Sequence, residues 1–302
     1  MHMPWRDRRG RFLPIKAVTL GLCFVPGVVY AIGAVTGALG GRVLNELIHA
    51  SGLWSVRIML IALAVTPAAR LLEWPRVLLV RRMIGLAALA YALIHFGLYI
   101  VDQKFALLVV IEEILKRVYL TIGCVAVIGL IALGVTSTDG FMRRMGPWWK
   151  RLHRLAYPIT ILGLLHYFMQ SKANVSQPVF VAGLYLWLML WRALPDAWRK
   201  PAAVYPAMAL VVGLATAGVE FAWYATATRI DPWRVLAANE SLALFPRPAH
   251  WVAIAGLGVL TAVILRRTIL RPVSVSRSSG PIPARTGRAS SGTPPNPPGS
   301  SA

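Results

Sequence analysis

Long apolar runs, each near the length of a membrane-crossing helix, alternate along the chain with short stretches that hold most of its charges. A helix needs about 20 mostly apolar residues to cross the hydrocarbon core of a bilayer. Eight runs meet this requirement, and only the second is interrupted, by Arg57 near its start, where a long side chain can reach the interface. The pattern therefore predicts an all-α polytopic transmembrane helical bundle of about eight spans. These spans cover residues 17–41, 53–69, 83–101, 118–138, 155–171, 173–191, 201–219 and 248–265.

Composition removes two other classes of protein. Of the 302 residues, 57% are apolar and only 14% are charged, which excludes a soluble globular domain. The formal net charge is +21, yet the basic residues are clustered between apolar runs and not spread over a face, so a nucleic-acid binder is excluded as well. The two cysteines, Cys23 and Cys124, both lie inside apolar runs and give neither a disulfide framework nor a covalent heme attachment site.

The distribution of Lys and Arg predicts the orientation. They concentrate at the N-terminus, in the second, fourth and sixth loops and in the C-terminal tail, so both termini are predicted to be cytoplasmic. The first span follows a basic N-terminal segment, residues 1–15, but it is too long for a signal peptide, so we expect a retained anchor. Residues 272–302 hold mostly Ser, Pro, Gly and Arg, which predicts a disordered cytoplasmic tail.

Two histidines stand deep inside predicted spans, where ionisable groups are costly and therefore indicate a function. His95 is about twelve residues into the third span, and His166 is about as far into the fifth. Both spans run in the same direction, so the two imidazoles are predicted to lie at similar depth. A b-type heme with two axial histidines needs this arrangement. Each histidine taken alone could equally form a hydrogen bond between helices.

His153 lies thirteen residues before His166, too far along the helix for one iron to bind both. It is predicted at the cytoplasmic side, and its role stays open. It could ligate a second heme, it could contact a propionate, a quinone or a flavin phosphate, or it could be an ordinary interfacial histidine. The neighbouring basic cluster would suit such anions, and it would equally serve as a signal for orientation and lipid contact. This cluster is Arg143, Arg144, Lys150, Arg151 and Arg154.

Two further observations bear on chemistry. Glu220 is the only carboxylate well inside an apolar run, and the sequence suggests no partner for it. No glycine-rich dinucleotide turn, P-loop or soluble nucleotide domain is present, so an electron-carrying chain of this kind would depend on other molecules as donor and final catalyst.

An ordered set of motifs resembles the MsrQ family, also called YedZ, within the ferric reductase-like transmembrane group. The resemblance covers roughly residues 15–198. The family's three histidines match His95, His153 and His166. The motifs are segments 66–70, 81–95, 116–123, 136–138 and 152–157, and the pair His166-Tyr167 with Lys172.

The resemblance implies the heme-binding membrane subunit of a bacterial periplasmic methionine sulfoxide reductase system. Such a subunit is a b-type cytochrome of the inner membrane that takes electrons from the quinone pool or a cytoplasmic flavin reductase. It passes them to MsrP, a periplasmic molybdenum-cofactor enzyme that repairs oxidised methionine in proteins. It would be an electron-transfer subunit without catalytic residues of its own. FMN is also associated with the family, and no motif here places it.

The sequence departs from the shorter family members in two ways. Residues 16–198 are predicted to form a six-helix heme-binding core, and residues 199–271 add two spans whose role the resemblance leaves open. Larger ferric reductase and NADPH oxidase relatives carry paired histidines for two stacked hemes, whereas the third span here has only one. The number of hemes b, one or two, therefore stays open.

Two alternative functions are compatible with the same residues. Within redox chemistry, the chain could be a quinol-linked ferric reductase or a cytochrome b561-like carrier. From another class, it could be a proton-coupled transporter that uses its buried histidines and Glu220. The latter predicts a colourless protein, and the sequence lacks the broken helices typical of transporter sites.

Overall fold

Helices form almost all of the chain that the computed structural model describes, which is residues 5–6, 10–171, 174–241 and 245–269. Among the described residues, the β pairing amounts to one isolated antiparallel bridge between Arg6 and Phe12. The prediction of an all-α bundle is therefore confirmed. The predicted tail, residues 272–302, lies outside the described residues. The helices are α1 (Pro14–Val35), α2 (Val43–Leu71), α3 (Arg81–Asp102), α4 (Leu107–Lys116), α5 (Val118–Val135), α6 (Asp139–Met145), α7 (Pro147–His153), α8 (Ala156–Gln170), α9 (Ser176–Ala193), α10 (Val204–Ala227), α11 (Pro232–Glu240) and α12 (Pro248–Ile269).

Six of the described helical segments are long and apolar enough to cross a membrane, namely those containing α1, α2, α3, α5, α10 and α12. The fifth and sixth predicted spans correspond to α8 and α9. Helix α8 has only 15 residues, and α9 has 18 but begins with Ser-Gln-Pro and carries Arg192 near its end. The chain is thus a multi-pass membrane protein, and the count of eight spans stays a prediction.

Helices α2 and α9 lie at the centre of the bundle. The face of α9 that holds Val179, Trp187 and Trp191 is buried, and one hydrophobic cluster joins it to Leu63 of α2 and Phe168 of α8. Helix α3 packs along α2, and α8 packs along α5. These pairs form two helical hairpins, α2 with α3 and α5 with α8. Helix α3 also contacts α5, and α2 contacts α8, so the two hairpins lie side by side in the bundle.

Helix α1 is fixed to α3 by a side chain that enters its backbone ladder. The hydroxyl of Tyr91 accepts a hydrogen bond from the Gly27 amide at 2.8 Å and donates one to the Cys23 carbonyl at 2.9 Å. In an unbroken helix that amide would donate directly to that carbonyl. Pro26 already weakens the ladder here because it lacks an amide hydrogen. The inserted hydroxyl satisfies both freed groups.

Helices α10, α11 and α12 form a C-terminal extension that packs on α9. The approach is close at Gly183 of α9, where an added Cβ would lie 2.5 Å from both Thr216 Oγ1 and Val252 Cγ2. At Gly256 of α12, an added Cβ would meet the Cβ of Ala209 at 2.9 Å. Small residues at helix contacts let backbones approach, which replaces the hydrophobic driving force that is missing inside lipid.

The segment after α3 differs from the loop expected there. Residues 107–116 form α4, a short amphipathic helix whose apolar side chains, among them Leu108 and Leu115, are largely exposed. Glu112 and Glu113 lie on its polar side and pair with Lys116 and Arg117 one turn later. Exposed apolar residues on one face and charges on the other are typical of a helix that lies in the membrane interface.

Candidate functional site

An apolar cavity of about 410 Å³ lies between the two helical hairpins, and we call it the histidine cavity. His95 of α3 and His166 of α8 both line it. The sequence had predicted similar depth for the two, and the structure brings them together. Their ring centroids are 6.0 Å apart, and the ring planes are inclined by 79°. Most of the remaining wall is aliphatic and aromatic, including Met59, Phe96, Val127, Leu130 and Ile159.

Each imidazole is held by a backbone carbonyl of the neighbouring helix. His95 Nδ1 lies 2.8 Å from the carbonyl oxygen of Ile48, and His166 Nδ1 lies 2.8 Å from that of Tyr119. A carbonyl can only accept, so each Nδ1 carries the proton and donates it. Nε2 is then the unprotonated nitrogen, which is free to bind a metal. Metal-ligating histidines generally donate their other ring nitrogen to a carbonyl or carboxylate in this way.

Two glycines make this close approach feasible. A Cβ added at Gly52 would lie 2.9 Å from Nδ1 of His95, and one added at Gly123 would lie 2.7 Å from Nδ1 of His166. Any side chain at either position would push the imidazole away from its carbonyl. Sequence reasoning missed both glycines, because glycine is unremarkable in a membrane helix.

The two hairpins repeat the same arrangement along the chain. In each, the carbonyl residue precedes the histidine by 47 positions, and the glycine follows the carbonyl residue by one helical turn. Ile48, Gly52 and His95 thus correspond to Tyr119, Gly123 and His166. A search for short repeats does not find this one, because each copy includes two helices and the connection between them. The signal in the sequence was that glycine and histidine have the same separation in both hairpins.

His153 does not line the histidine cavity. It is the last residue of α7 and lies just before the N-terminus of α8, whereas His166 lies near the C-terminus of α8. Its ring stacks on Trp149 with centroids 3.9 Å apart. Nδ1 is 3.1 Å from the Trp149 carbonyl oxygen, and Nε2 is 3.3 Å from Ser137 Oγ. Burial lowers the pKa of His153, hydrogen bonding to the Trp149 and Leu133 carbonyls opposes this, and the Arg81 charge lowers the pKa further.

The polar residues around His153 serve local structure. Thr138 Oγ1 accepts a hydrogen bond from the Phe141 amide and so caps α6. Arg151 stacks its guanidinium over the Trp148 ring at 4.5 Å. No residue of the basic cluster between 143 and 154 lines the histidine cavity as the described residues form it.

Two polar residues of the cavity wall were not anticipated. His49 and Glu46, on the first turns of α2, both line the histidine cavity, whereas the predicted spans 17–41 and 53–69 leave both residues in the loop between them. Tyr30 and Tyr99 line the same wall. Among the described residues, no group of three or more His, Cys, Asp or Glu could hold a bare metal ion. The pair of imidazoles is therefore suited to a metal whose other ligands come from elsewhere, as in a porphyrin.

Glu220, which lacked a partner in the sequence, is buried in the extension and away from the histidines. Its carboxylate lies 2.6 Å from Nη2 of Arg247 and accepts a hydrogen bond from Asn239 at 3.0 Å. The carboxylate is thus paired within the extension, which gives no support to a transport site that joins Glu220 to the histidines.

Known proteins resemble this chain over about half to two thirds of its length. Residues 51–164 match the family described as ferric reductase like transmembrane component. The heme-binding subunit MsrQ of protein-methionine-sulfoxide reductase from Caulobacter vibrioides is 41% identical over 172 residues, which are 56% of this chain and 82% of that protein. MsrQ from Rhodospirillum rubrum is 39% identical over 197 residues, 65% of this chain and 92% of the relative. No solved structure matches.

Proposed function

Because this chain belongs to the MsrQ family of heme-binding subunits, we propose that it holds a heme b in the histidine cavity and carries electrons across the membrane. His95 and His166 would be the two axial ligands. One observation carries the proposal: two imidazoles from separate hairpins line one apolar cavity, each fixed at Nδ1 by a carbonyl of the neighbouring helix.

The site residues fit such a group. Both imidazoles would bind the metal through Nε2, because each Nδ1 is already engaged by a carbonyl. Their ring centroids are 6.0 Å apart and both rings line the same cavity, so both could reach one bound group. When bound, the heme supplies one-electron oxidation and reduction. The chain would contribute fixed ligands and a largely apolar wall, and both would influence the reduction potential.

Partners would supply the rest of the reaction. We propose the quinone pool or a cytoplasmic flavin reductase as donor and a periplasmic MsrP-like molybdenum enzyme as acceptor. The support is the family membership and the absence of a nucleotide-binding motif in the sequence. The proposed location is the inner membrane with both termini in the cytoplasm. FMN remains a family-based proposal without a site.

For His153 we propose a role at the cytoplasmic side of the bundle. Both of its ring nitrogens have hydrogen-bond partners, and its ring stacks on Trp149. These contacts favour a residue that fixes the connection from α5 to α8. Ligation of a second heme by His153 stays a prediction; binding through Nε2 would displace the Ser137 hydroxyl, while Nδ1 could keep the Trp149 carbonyl.

Heme content tests the axial assignment. The purified full chain is measured by absorption spectroscopy, oxidised and dithionite-reduced, with heme per chain from the pyridine hemochrome. We expect sharp low-spin b-type bands, and a loss of most heme in His95→Ala and in His166→Ala. The matched control is His250→Ala, which removes a histidine of the extension and should leave heme content unchanged. Normal heme in both cavity variants would contradict the assignment, and a ratio near two would restore His153 as a ligand candidate.

A further inference from the structure

Two adjoining cavities lie between α2, α9 and α12, on the side of α2 that faces the extension. The first, which we call the arginine chamber, has a volume of about 410 Å³ and is lined by Arg57, Gln177, Arg247 and Trp251 among others. The second, the apolar groove, has a volume of about 500 Å³. Arg57 and Phe180 line both, so the two cavities meet at these side chains.

The arginine chamber has an uncompensated positive charge. Arg247 is paired with the buried Glu220, but Arg57 has no carboxylate within ion-pair distance in the described part of the chain. Its one side-chain hydrogen bond goes from Nη2 to Gln177 Oε1 at 3.0 Å, and its guanidinium lies over the Trp54 ring at 5.2 Å. Arg57 lies near the start of its span, where its long side chain can reach the interface and an anionic headgroup can pair with it. The chamber thus fits one monovalent anion.

The apolar groove leads away from this charge along α2. It follows Ile61, Ala64, Ala68 and Leu72, with α9 and α12 as its other walls. Fifteen residues separate Arg57 from Leu72, which is about 22 Å of helix. One leaflet of a bilayer is about 15 Å thick, so the groove can hold the length of an acyl chain.

We propose that an anionic phospholipid occupies both cavities, with its phosphate between Arg57 and Arg247 and one acyl chain in the apolar groove. Charge and shape support this occupant together. The chamber offers two guanidinium groups against one carboxylate, and the groove that opens from it is almost wholly apolar. The lipid would connect the central helix α2 with the extension, which gives residues 199–271 a function that does not depend on heme.

The first test measures lipid binding by the purified full chain. After delipidation in detergent, the protein is titrated with phosphatidylglycerol or phosphatidylcholine of equal chain length and examined by native mass spectrometry. We expect phosphatidylglycerol to bind more tightly, and Arg57→Gln to weaken it about tenfold, the effect of losing roughly 1.4 kcal/mol. Arg57→Lys should recover part of the loss. Arg229→Gln, which removes an exposed arginine from the extension, is the matched control.

The second test separates a lipid from a soluble anion. Ala64→Phe fills the apolar groove without touching either arginine, and Ala222→Phe on the exposed face of α10 is its control. We expect Ala64→Phe to weaken phosphatidylglycerol binding and Ala222→Phe to leave it unchanged. Glycerol phosphate should compete poorly. Equal binding of both lipids, an unaffected Arg57→Gln, or glycerol phosphate that competes as well as the full lipid would each overturn the proposal.

Discussion

The histidine cavity and the extension use missing side chains in opposite ways. At Gly52 and Gly123, the space that a Cβ would take is occupied by an imidazole that remains available for a ligand. At Gly183, the space is filled by Thr216 and Val252 of the neighbouring helices, and nothing is left open. Polar groups differ likewise, since the cavity histidines bond only to backbone carbonyls whereas Glu220 and Arg247 bond to each other. A glycine in a membrane helix can therefore mark a ligand site or tight packing, and the side chain that fills its space distinguishes the two.

The largest effect is expected where a side chain is added at the cavity glycines. Gly123→Ala would place a methyl group 2.7 Å from Nδ1 of His166, so the ring must move and lose its carbonyl. Overpacking costs about 1–3 kcal/mol, and each 1.4 kcal/mol is about tenfold in affinity. We expect heme affinity to fall by about fivefold to a hundredfold, and heme per chain, measured by the pyridine hemochrome, to fall with it.

Gly97→Ala provides the control for this change. Gly97 is on α3, two residues from His95 and therefore on the opposite side of the helix, and an added Cβ there would meet nothing within 4 Å. Its heme content should equal that of the unaltered chain. If both variants lost heme alike, or neither did, the contrast between a ligand glycine and an ordinary one would fail.

An effect on stability alone, with heme content unchanged, is expected from the ion pair of the extension. Glu220 is 1% exposed, so Glu220→Gln leaves the Arg247 guanidinium without its counter-charge. Removing one partner of a buried pair costs about 3 kcal/mol. We expect a lower thermal unfolding temperature in detergent with unchanged heme per chain. Arg234→Gln, which breaks an exposed contact to Asp231, should change the free energy of unfolding by less than about 1 kcal/mol. Heme loss in Glu220→Gln would show that the two regions are coupled.

The smallest effect concerns His153 and pH. Burial lowers its pKa, so the folded chain favours the neutral ring and the unfolded chain binds the proton more readily. This contribution is fully present above the ordinary histidine pKa of about 6.5 and is lost as the pH falls below it. Thermal unfolding should therefore become slightly easier between pH 7 and pH 5, and His153→Gln should reduce this dependence. A stability that rises on acidification would mean that the protonated ring is the form that α7 holds.

The sequence predicted the parts of the fold that depend on local composition. Runs of apolar residues located the long helices, and counting residues along α3 and α8 brought His95 and His166 to one depth. Helix α4 was missed because Glu112 and Glu113 interrupt its apolar residues, and an amphipathic helix is recognised by periodicity and not by an uncharged run.

Contacts between distant segments were out of reach. The carbonyl of Tyr119 lies 47 residues from His166, and Arg247 lies 27 residues from Glu220, so only packing brings each pair together. The approach of His95 to Gly52 depends on the register of α2 against α3, which side-chain types alone do not specify. His49 was assigned to a loop because α2 extends ten residues beyond its apolar run.

Each of the two hairpins contributes one histidine to the cavity, and this has a consequence for assembly. One imidazole comes from each hairpin, so a group that binds both acts as a crosslink between segments that are far apart in the chain. A ligand that binds only the assembled form stabilises that form by a free energy that rises with the logarithm of the ligand concentration relative to Kd. Cofactor supply would then decide how much of the newly made chain reaches a lasting bundle and how much remains open to membrane proteases.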